Sequence, residues 1–513
     1  MVKETIGLLG TDVMGQNLGL NIGGYNLDDP SNGWPLVAWN RTKKKKDKYL
    51  ERIASEPCAQ NISGADTIEQ LVDKVGKKGI YWLMVKVTDQ PRDAVDDVLE
   101  ALVPHLEEGA LIIDGGNTHF TKTMRREEFY AKKGIRYIGT GVSGGEEGAL
   151  LGPAYMPGCT AETWKRVEPL FNMTAAKAEQ DNEPCVHRCG PNGAGHFVKM
   201  VHNAIEYGDM AMIGESVWLL NKLLGWDMQR IGKKLEEWNG GEDVLKSYLI
   251  EITAMGLQEP GKQEEKYLAD RVADITRMKG TGLWACREAN RTEFKVPVPT
   301  WYAALQSRLM SMMKDERVAM SEKIEVDDIR EQVKLGDLSE DEIAAKIHNA
   351  LYVGKIASYA QGIDLLQKAS EFYSWDLNIN NIARGWRGGC IIRAEFLDDI
   401  AKAYSGDAPD NLIADPFFTE AIVKSMADLQ YVSALGSLAG VPIPTLDASR
   451  HYIGQMSSKV LKSAQVQALE RDVFGRHHYL RLKGNGTLLR ADTEYGTAWM
   501  EPGRPESSRP LTH

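Results

Sequence analysis

The chain has little that would commit it to the cell exterior, a membrane or nucleic acid. It carries only six cysteines in 513 residues, too scattered for a disulfide framework, so a reducing, cytoplasmic setting is expected. No apolar run approaches the ~18 residues of a membrane span, and Met1-Val-Lys-Glu-Thr5 leads directly into a strand-like run, so neither a span nor a leader is expected. An excess of basic residues is also missing: 61 Lys and Arg against 72 Asp and Glu give a net charge of -11. That balance argues against nucleic acid or an anionic membrane as the default partner, while leaving room for a local basic pocket. No metal site is expected either. Cys185-Val-His-Arg-Cys189 gathers three potential ligands, but they are crowded and no second pair follows at zinc-site distance, so small residues at a domain junction explain them better. Hydrophobic residues at 43% and charged residues at 26% are ordinary for a globular protein, and the length exceeds what one core spans, so two or more domains are expected.

Thr5-Ile-Gly-Leu-Leu9 reads as a buried strand, and Gly10-Thr-Asp-Val-Met-Gly15 as the tight turn opening a helix in a dinucleotide-binding unit, with a plain strand-to-helix turn as the alternative. Asp12 stands where the middle glycine of that turn would be. Its carboxylate brings bulk and repulsion toward a pyrophosphate, or it caps the following helix. A second strand, Leu36-Val-Ala-Trp39, ends in Asn40-Arg41-Thr42, an amide, a guanidinium and a hydroxyl where an NAD-specific site would carry Asp or Glu. That set suits a ribose 2′-phosphate. Lys43 to Lys46 behind it either deepen the positive field or form an exposed helix start. Gly79–Val85 and Ala110–Asp114 read as further strands that end in Lys86-Val-Thr and Gly115-Gly-Asn117, with helical patterns such as 92–106 between strands. Arg136–Thr140 is another strand. The glycines of Gly141–Gly148 that follow it present backbone amides to an anion, or form a plain loop.

From Gly193 onward strand signals nearly vanish and helical patterns run to about residue 460. On a helix from Gly193 to Tyr207, residues Phe197, Val198, Met200, Val201, Ala204 and Ile205 share one face, and Lys199, His202, Asn203, Glu206 and Tyr207 the other. The second face is chemistry, or a solvated surface with a Lys199–Glu206 ion pair. A repeat bears on the choice: 202–222 aligns without gaps on 348–368, keeping the His-Asn pair and the apolar positions while Lys199 becomes Ala345 and Glu206 becomes Tyr352. The scaffold is retained and the base and acid are not, which favours chemistry. The last residues, poor in apolar side chains and rich in proline and glycine, cannot bury a core of their own.

Asp114–Asn117, Gly141–Gly148, Gly193–Tyr207, Lys279-Gly-Thr-Gly282, Lys314–Arg317, Trp386–Arg393 and Arg471–His477, in this order along nearly the whole chain, resemble the 6-phosphogluconate dehydrogenases. The resemblance implies an α/β Rossmann domain (1–192) that binds NADP, then a large all-α domain with an internal helical repeat (193–459). An extended C-terminal tail (460–513) would reach the partner subunit of a homodimer. It also implies oxidative decarboxylation of 6-phosphogluconate in the pentose phosphate pathway, with Lys199 as base and Glu206 as acid. By the same resemblance Asn117, Ser143, Gly144, Gly145, His202, Asn203, Tyr207, Lys279, Thr281 and Arg308 hold substrate, joined by Arg471 and His477 from the neighbouring chain. Gly10, Thr11, Asp12, Val13, Met14, Gly15, Asn40, Arg41, Thr42, Val85, Lys86, Val87 and Asn117 fall to the cofactor, with no metal. The chain departs from the family at Asp12, at a longer loop over 87–91 and at an insertion over 26–35. A related NADP-dependent β-hydroxyacid dehydrogenase and a non-enzymatic NADP-binding relative are the rival readings.

Overall fold

The computed structural model describes residues 3–88, 90–262, 266–278, 280–330 and 338–511. Residues 1–449 form one compact unit and 450–513 a second. The first unit opens with strands β1 (Ile6–Leu9), β2 (Leu36–Trp39), β3 (Ile62–Gly64), β4 (Ile80–Leu83), β5 (Leu111–Asp114), β6 (Arg136–Ser143) and β7 (Ala154–Gly158). They stand in the order β3-β2-β1-β4-β5-β6-β7, parallel from β1 to β6, with β7 antiparallel beside β6. Helices α1 (Val13–Gly23), α2 (Lys43–Ile53), α3 (Ile68–Val75), α4 (Ala94–Leu102), α5 (Phe120–Ala131), α6 (Gly145–Leu151) and α7 (Ala161–Thr174) alternate with the strands. A sheet covered on both faces explains why β1, β4 and β5 are apolar without alternation. Leu8 and Trp82 enter one apolar layer with Phe171, and Leu9 and Tyr81 enter the other with Leu99.

The all-helical part comprises α8 (Ala194–Leu224), α9 (Met228–Trp238), α10 (Tyr248–Gln258), α11 (Thr281–Ala289), α12 (Pro299–Met312), α13 (Lys314–Ser321), α14 (Glu340–Tyr373), α15 (Ile379–Gly385), α16 (Leu397–Ala403), α17 (Pro416–Leu438) and α18 (Pro444–Met456). Its organising contact is α8 against α14, the two helices that carry the repeat. Equivalent positions of the two copies face each other there: Asp209 and Lys355 form a fully buried ion pair with Nζ 2.8 Å from the carboxylate. Each copy also caps a helix of the other. Glu215 of α8 accepts the amides of Thr445 and Leu446 at the start of α18. Its counterpart Gln361 of α14 accepts the amide of Thr300 at the start of α12 and donates to the Thr300 hydroxyl. Val296-Pro-Val-Pro-Thr300 and Val441-Pro-Ile-Pro-Thr445 thus belong to the duplication, and the copies clasp each other by satisfying one another's helix starts.

The second unit holds the end of α18, α19 (Lys462–Gly475), and the antiparallel strands β8 (Thr493–Thr497) and β9 (Glu506–Pro510). Its centre is polar. Asp472 is fully buried and accepts from the amides of His478 and Thr497 and from the Trp499 indole. Val473 and Phe474 are exposed, in keeping with a tail that encloses no apolar core of its own.

Candidate active site

α8 lies close against the sheet because glycine permits it. A Cβ on Gly141 of β6 would stand 2.4 Å from Lys199 Cβ, far inside carbon–carbon contact, so only the bare backbone lets Lys199 rest over this end of the strand. The polar face of α8 is not solvated. Lys199 is 6% exposed and His202 0%, which rules out the surface ion-pair reading. Burial holds the Lys199 amine below the ordinary lysine range, against smaller opposing effects of Glu206 and Cys390. Burial first, and Lys199 second, push His202 well below the usual imidazole value.

The hydrogen bonds then fix which proton sits where. Asn203 Nδ2 donates to the Thr281 hydroxyl at 3.1 Å, so its Oδ1 is the atom 3.0 Å from His202 Nδ1, and Nδ1 carries the hydrogen. His202 Nε2 is left as an acceptor, facing Ser143 Oγ at 3.0 Å and Cys390 Sγ at 2.9 Å, both of which can donate. Ser143 Oγ also accepts the amide of Ile391 at 3.3 Å, which turns its own hydrogen toward His202. Lys199 Nζ lies 3.3 Å from Nδ1. Burial makes Lys199 easier to deprotonate than a solvated lysine. The nearer Glu206 oxygen lies 3.8 Å from His202 Nδ1, one turn further along α8.

Around this centre stand most of the residues the sequence singled out. The Arg308 guanidinium lies 3.8 Å over the Tyr207 ring and donates to the Arg277 carbonyl. Thr281 opens α11, and Gly144 and Gly145 open α6 directly after Ser143. Asn117 is exposed on a loop organised by buried Asp114, which accepts from the Gly116 amide at 3.0 Å and from the Thr118 and Tyr137 hydroxyls at 2.7 Å. Lys279 lies outside the described residues. Arg471 and His477 belong to the second unit and are exposed there. In the second repeat copy the same His-Asn pair serves structure: His348 meets Asp243 at 2.9 Å and Asn349 donates to Asp428 at 2.7 Å. Cys390 is the site residue that residue-by-residue reading missed, although it lies in the flagged 386–393 segment. Burial pushes its thiol up to about 11, so it acts here as a neutral donor.

The turn after β1 needs its glycines. Gly10 has φ 110°, and a Cβ there would lie 2.4 Å from the Met84 carbonyl oxygen. The Thr11 amide donates to Asn40 Oδ1 at 3.0 Å, tying the turn to the end of β2. Beside it opens a cavity of about 320 Å³ lined by Gly10, Asp12, Asn40, Arg41, Thr42, Val85 and Lys86, by Lys45 of the lysine run, and by Trp39, Met84 and Asp97, which the sequence reading did not assign. Met14 and Gly15 continue the turn into α1, Val13 is exposed at its start, and Val87 packs on the layer of Leu9 and Leu99. An amide, a guanidinium and a hydroxyl with no carboxylate at the end of β2, and Lys45 of α2 beside them, are the donor set of a phosphorylated ribose, so the residues present fit NADP. Asp12 occupies the N-cap of α1 but makes no capping hydrogen bond; it pairs with Lys45. The lysine run resolves residue by residue: Lys43 pairs with Asp66, Lys46 is buried between Asp47 and Asp66, and Lys45 faces the crevice.

Residues 5–190 match the family model described as the NAD binding domain of 6-phosphogluconate dehydrogenase, and residues 195–493 match the 6-phosphogluconate dehydrogenase C-terminal domain. The chain belongs to the 6-phosphogluconate dehydrogenases. It is 42% identical to the decarboxylating 6-phosphogluconate dehydrogenase of Lactococcus lactis, covering 94% of this chain and 97% of the relative. It is 39% identical to the NADP(+)-dependent one of Bacillus subtilis, covering 98% and 100%. The structure of the Plasmodium falciparum 6-phosphogluconate dehydrogenase, solved in apo form and with NADP+ and with 6-phosphogluconate, superposes with a TM-score of 0.85 at 36% identity, over 97% of this chain and 100% of that one. The α/β unit and the duplicated helices are thus the two halves of a 6-phosphogluconate dehydrogenase, with the buried lysine where they meet.

Proposed function

We propose that Lys199 and Glu206 carry the proton transfers of the family's reaction, the oxidative decarboxylation of 6-phosphogluconate to ribulose 5-phosphate and CO₂. That reaction and NADP as its oxidant follow from family membership and from the likeness to the Plasmodium falciparum enzyme. The observation that carries the assignment is the buried Lys199 amine, held by burial below the ordinary lysine range and 3.3 Å from His202 Nδ1. As a free amine, Lys199 takes the proton of the substrate's C3 hydroxyl while hydride leaves C3. When bound, NADP supplies the hydride acceptor. C3 becomes a ketone β to the carboxylate, and the same lysine, now an ammonium, donates to the ketone oxygen on which negative charge develops as the C1–C2 bond breaks. Glu206 then protonates the carbon that has lost CO₂. His202, held neutral by burial, stands 3.3 Å from the Lys199 amine and helps to position it.

Asn117, Ser143, Gly144, Gly145, His202, Asn203, Tyr207, Lys279, Thr281 and Arg308 would hold the substrate, the cations among them taking its phosphate. Arg471 and His477 of a second copy would complete the site, which makes the working form a homodimer with exchanged tails. The tail's polar centre and exposed Val473 and Phe474 support its need for another surface. The functional division is 1–192 for cofactor, 193–459 for substrate and dimer contact, and 460–513 for the tail. The six free thiols support the cytoplasm as compartment; no helix among the described residues is long and apolar enough to cross a membrane. NADPH absorbance with 6-phosphogluconate, against a panel of unphosphorylated 3-hydroxy acids, tests the substrate; turnover of the panel without 6-phosphogluconate turnover would overturn it. Mixing Lys199→Met chains with Arg471→Ala chains tests the exchange. Activity should return toward about a quarter of the parent value when half the dimers are mixed, and no return in proven heterodimers would place each tail on its own subunit.

A further inference from the structure

The crevice that receives NADP already contains its own anions. Arg41 and Lys45 both line it, and each faces a carboxylate of the same cavity: Lys45 is ion-paired with Asp12, and Arg41 lies 4.0 Å from Asp97. The two carboxylates differ in what else holds them. Asp97 also receives Arg92, whose nitrogens lie 2.9 and 3.1 Å away, and this draws its charge from Arg41. Asp12 has Lys45 as its ion-pair partner, and although it stands at the N-cap of α1 its side chain makes no capping hydrogen bond. It is therefore turned away from its own helix and toward the cation. The pair joins the β1–α1 turn to the first turn of α2, the two walls between which the ribose and its phosphate are received. Both side chains are half or more exposed, so solvent screens the pair and a dianion can displace the carboxylate.

We propose that Asp12 is a built-in competitor with the cofactor's 2′-phosphate for the Lys45 amine. In the free protein the Asp12 carboxylate holds the Lys45 amine; the 2′-phosphate displaces it, and a ribose bearing only a 2′-hydroxyl does not. Asp12 thus lowers affinity for NADP more than for NAD and narrows the selectivity that Arg41 and Lys45 create. This differs from simple repulsion between Asp12 and the pyrophosphate, which both cofactors share and which would weaken them equally.

Calorimetric or fluorescence titration of the full chain with NADP and with NAD, without substrate, separates these outcomes in a double-mutant cycle. Lys45→Met should weaken NADP about tenfold and leave NAD within about twofold, the size of one charge-assisted contact. Asp12→Asn should tighten NADP about five- to tenfold more than it tightens NAD. In the Lys45→Met background the same substitution should move both cofactors by one common factor, because only repulsion remains to be relieved. An unchanged NADP affinity in Lys45→Met would remove Lys45 from the phosphate site. Equal tightening of both cofactors by Asp12→Asn with Lys45 present would reduce Asp12 to a repulsive bystander, and weaker NADP binding in that variant would make it a positioning residue. The proposal rests on this crevice being the NADP site; Arg41→Asp tests that separately, since retained NADP preference there would move the whole site elsewhere.

Discussion

Gly141→Ala adds one methyl group at a close approach between the sheet and α8. Its Cβ would lie 2.4 Å from Lys199 Cβ and 3.0 Å from Cγ, whereas carbon atoms settle at ~3.5–4.0 Å, so a shift of about 1 Å is required. Lys199 Cβ cannot swing aside, because no side-chain torsion moves it. Moving α8 off the sheet would open the contact at Gly195, which lies directly on the carbonyls of Met156 and Gly139. Overpacking of this kind typically destabilises by ~1–3 kcal/mol, and displacing a reacting group by ~1 Å lowers rate by ~10²-fold. We expect kcat to fall about 100-fold, the melting temperature to drop, and KM for 6-phosphogluconate to move less than kcat. Steady-state NADPH formation and a thermal melt on the same preparation check this. A variant with kcat within about threefold of the parent and an unchanged melt would refute the claim that Gly141 positions the base.

Lys199→Met should abolish turnover while calorimetry still detects 6-phosphogluconate; turnover within about tenfold of the parent would end its role as base. Arg41→Asp should collapse the preference for NADP over NAD, measured as the ratio of kcat/KM values. Lys355→Met should destabilise the chain by about 3–5 kcal/mol, because it leaves Asp209 buried without its cation. Burial already holds the Asp209 carboxyl above its ordinary value. The folded state of that variant then binds the proton more tightly than the unfolded chain, so its deficit should be largest at neutral pH and shrink as pH falls toward protonation of Asp209. Denaturant melts across pH report this, and a pH-independent deficit would argue that the pair is solvated.

The parts of the fold that the sequence displayed are those where one local rule dominates. β1, β2 and β5 are apolar runs closed by glycine or polar breakers, and the Gly10 turn is set by backbone sterics alone. β3 is too short for any pattern, and β7, Ala154-Tyr-Met-Pro-Gly158, contains a proline and a glycine tolerated because the strand lies at the sheet edge. The duplication was legible in α8 and α14 but not in the Pro-Thr segments that start α12 and α18. A one-residue shift between the copies breaks a gap-free match there, and the exchange of caps through Glu215 and Gln361 exists only in three dimensions. Lys199 and His202 could be placed on one helix face from spacing. That the face is buried, and that Thr281 and Asn203 set the imidazole tautomer, depends on residues far apart in the chain. Asp12 was legible as an anomaly; its partner Lys45 was hidden inside a run of identical residues of which only one faces the crevice.

Chemical rescue of Lys199→Ala by small primary amines tests most directly whether an uncharged amine at this position is the base. With saturating NADP and 6-phosphogluconate, NADPH formation should be restored by n-propylamine or n-butylamine and should scale, across pH, with the concentration of the free amine. Rescue that follows the ammonium form instead, or no rescue in a variant that still binds both ligands, would contradict the account.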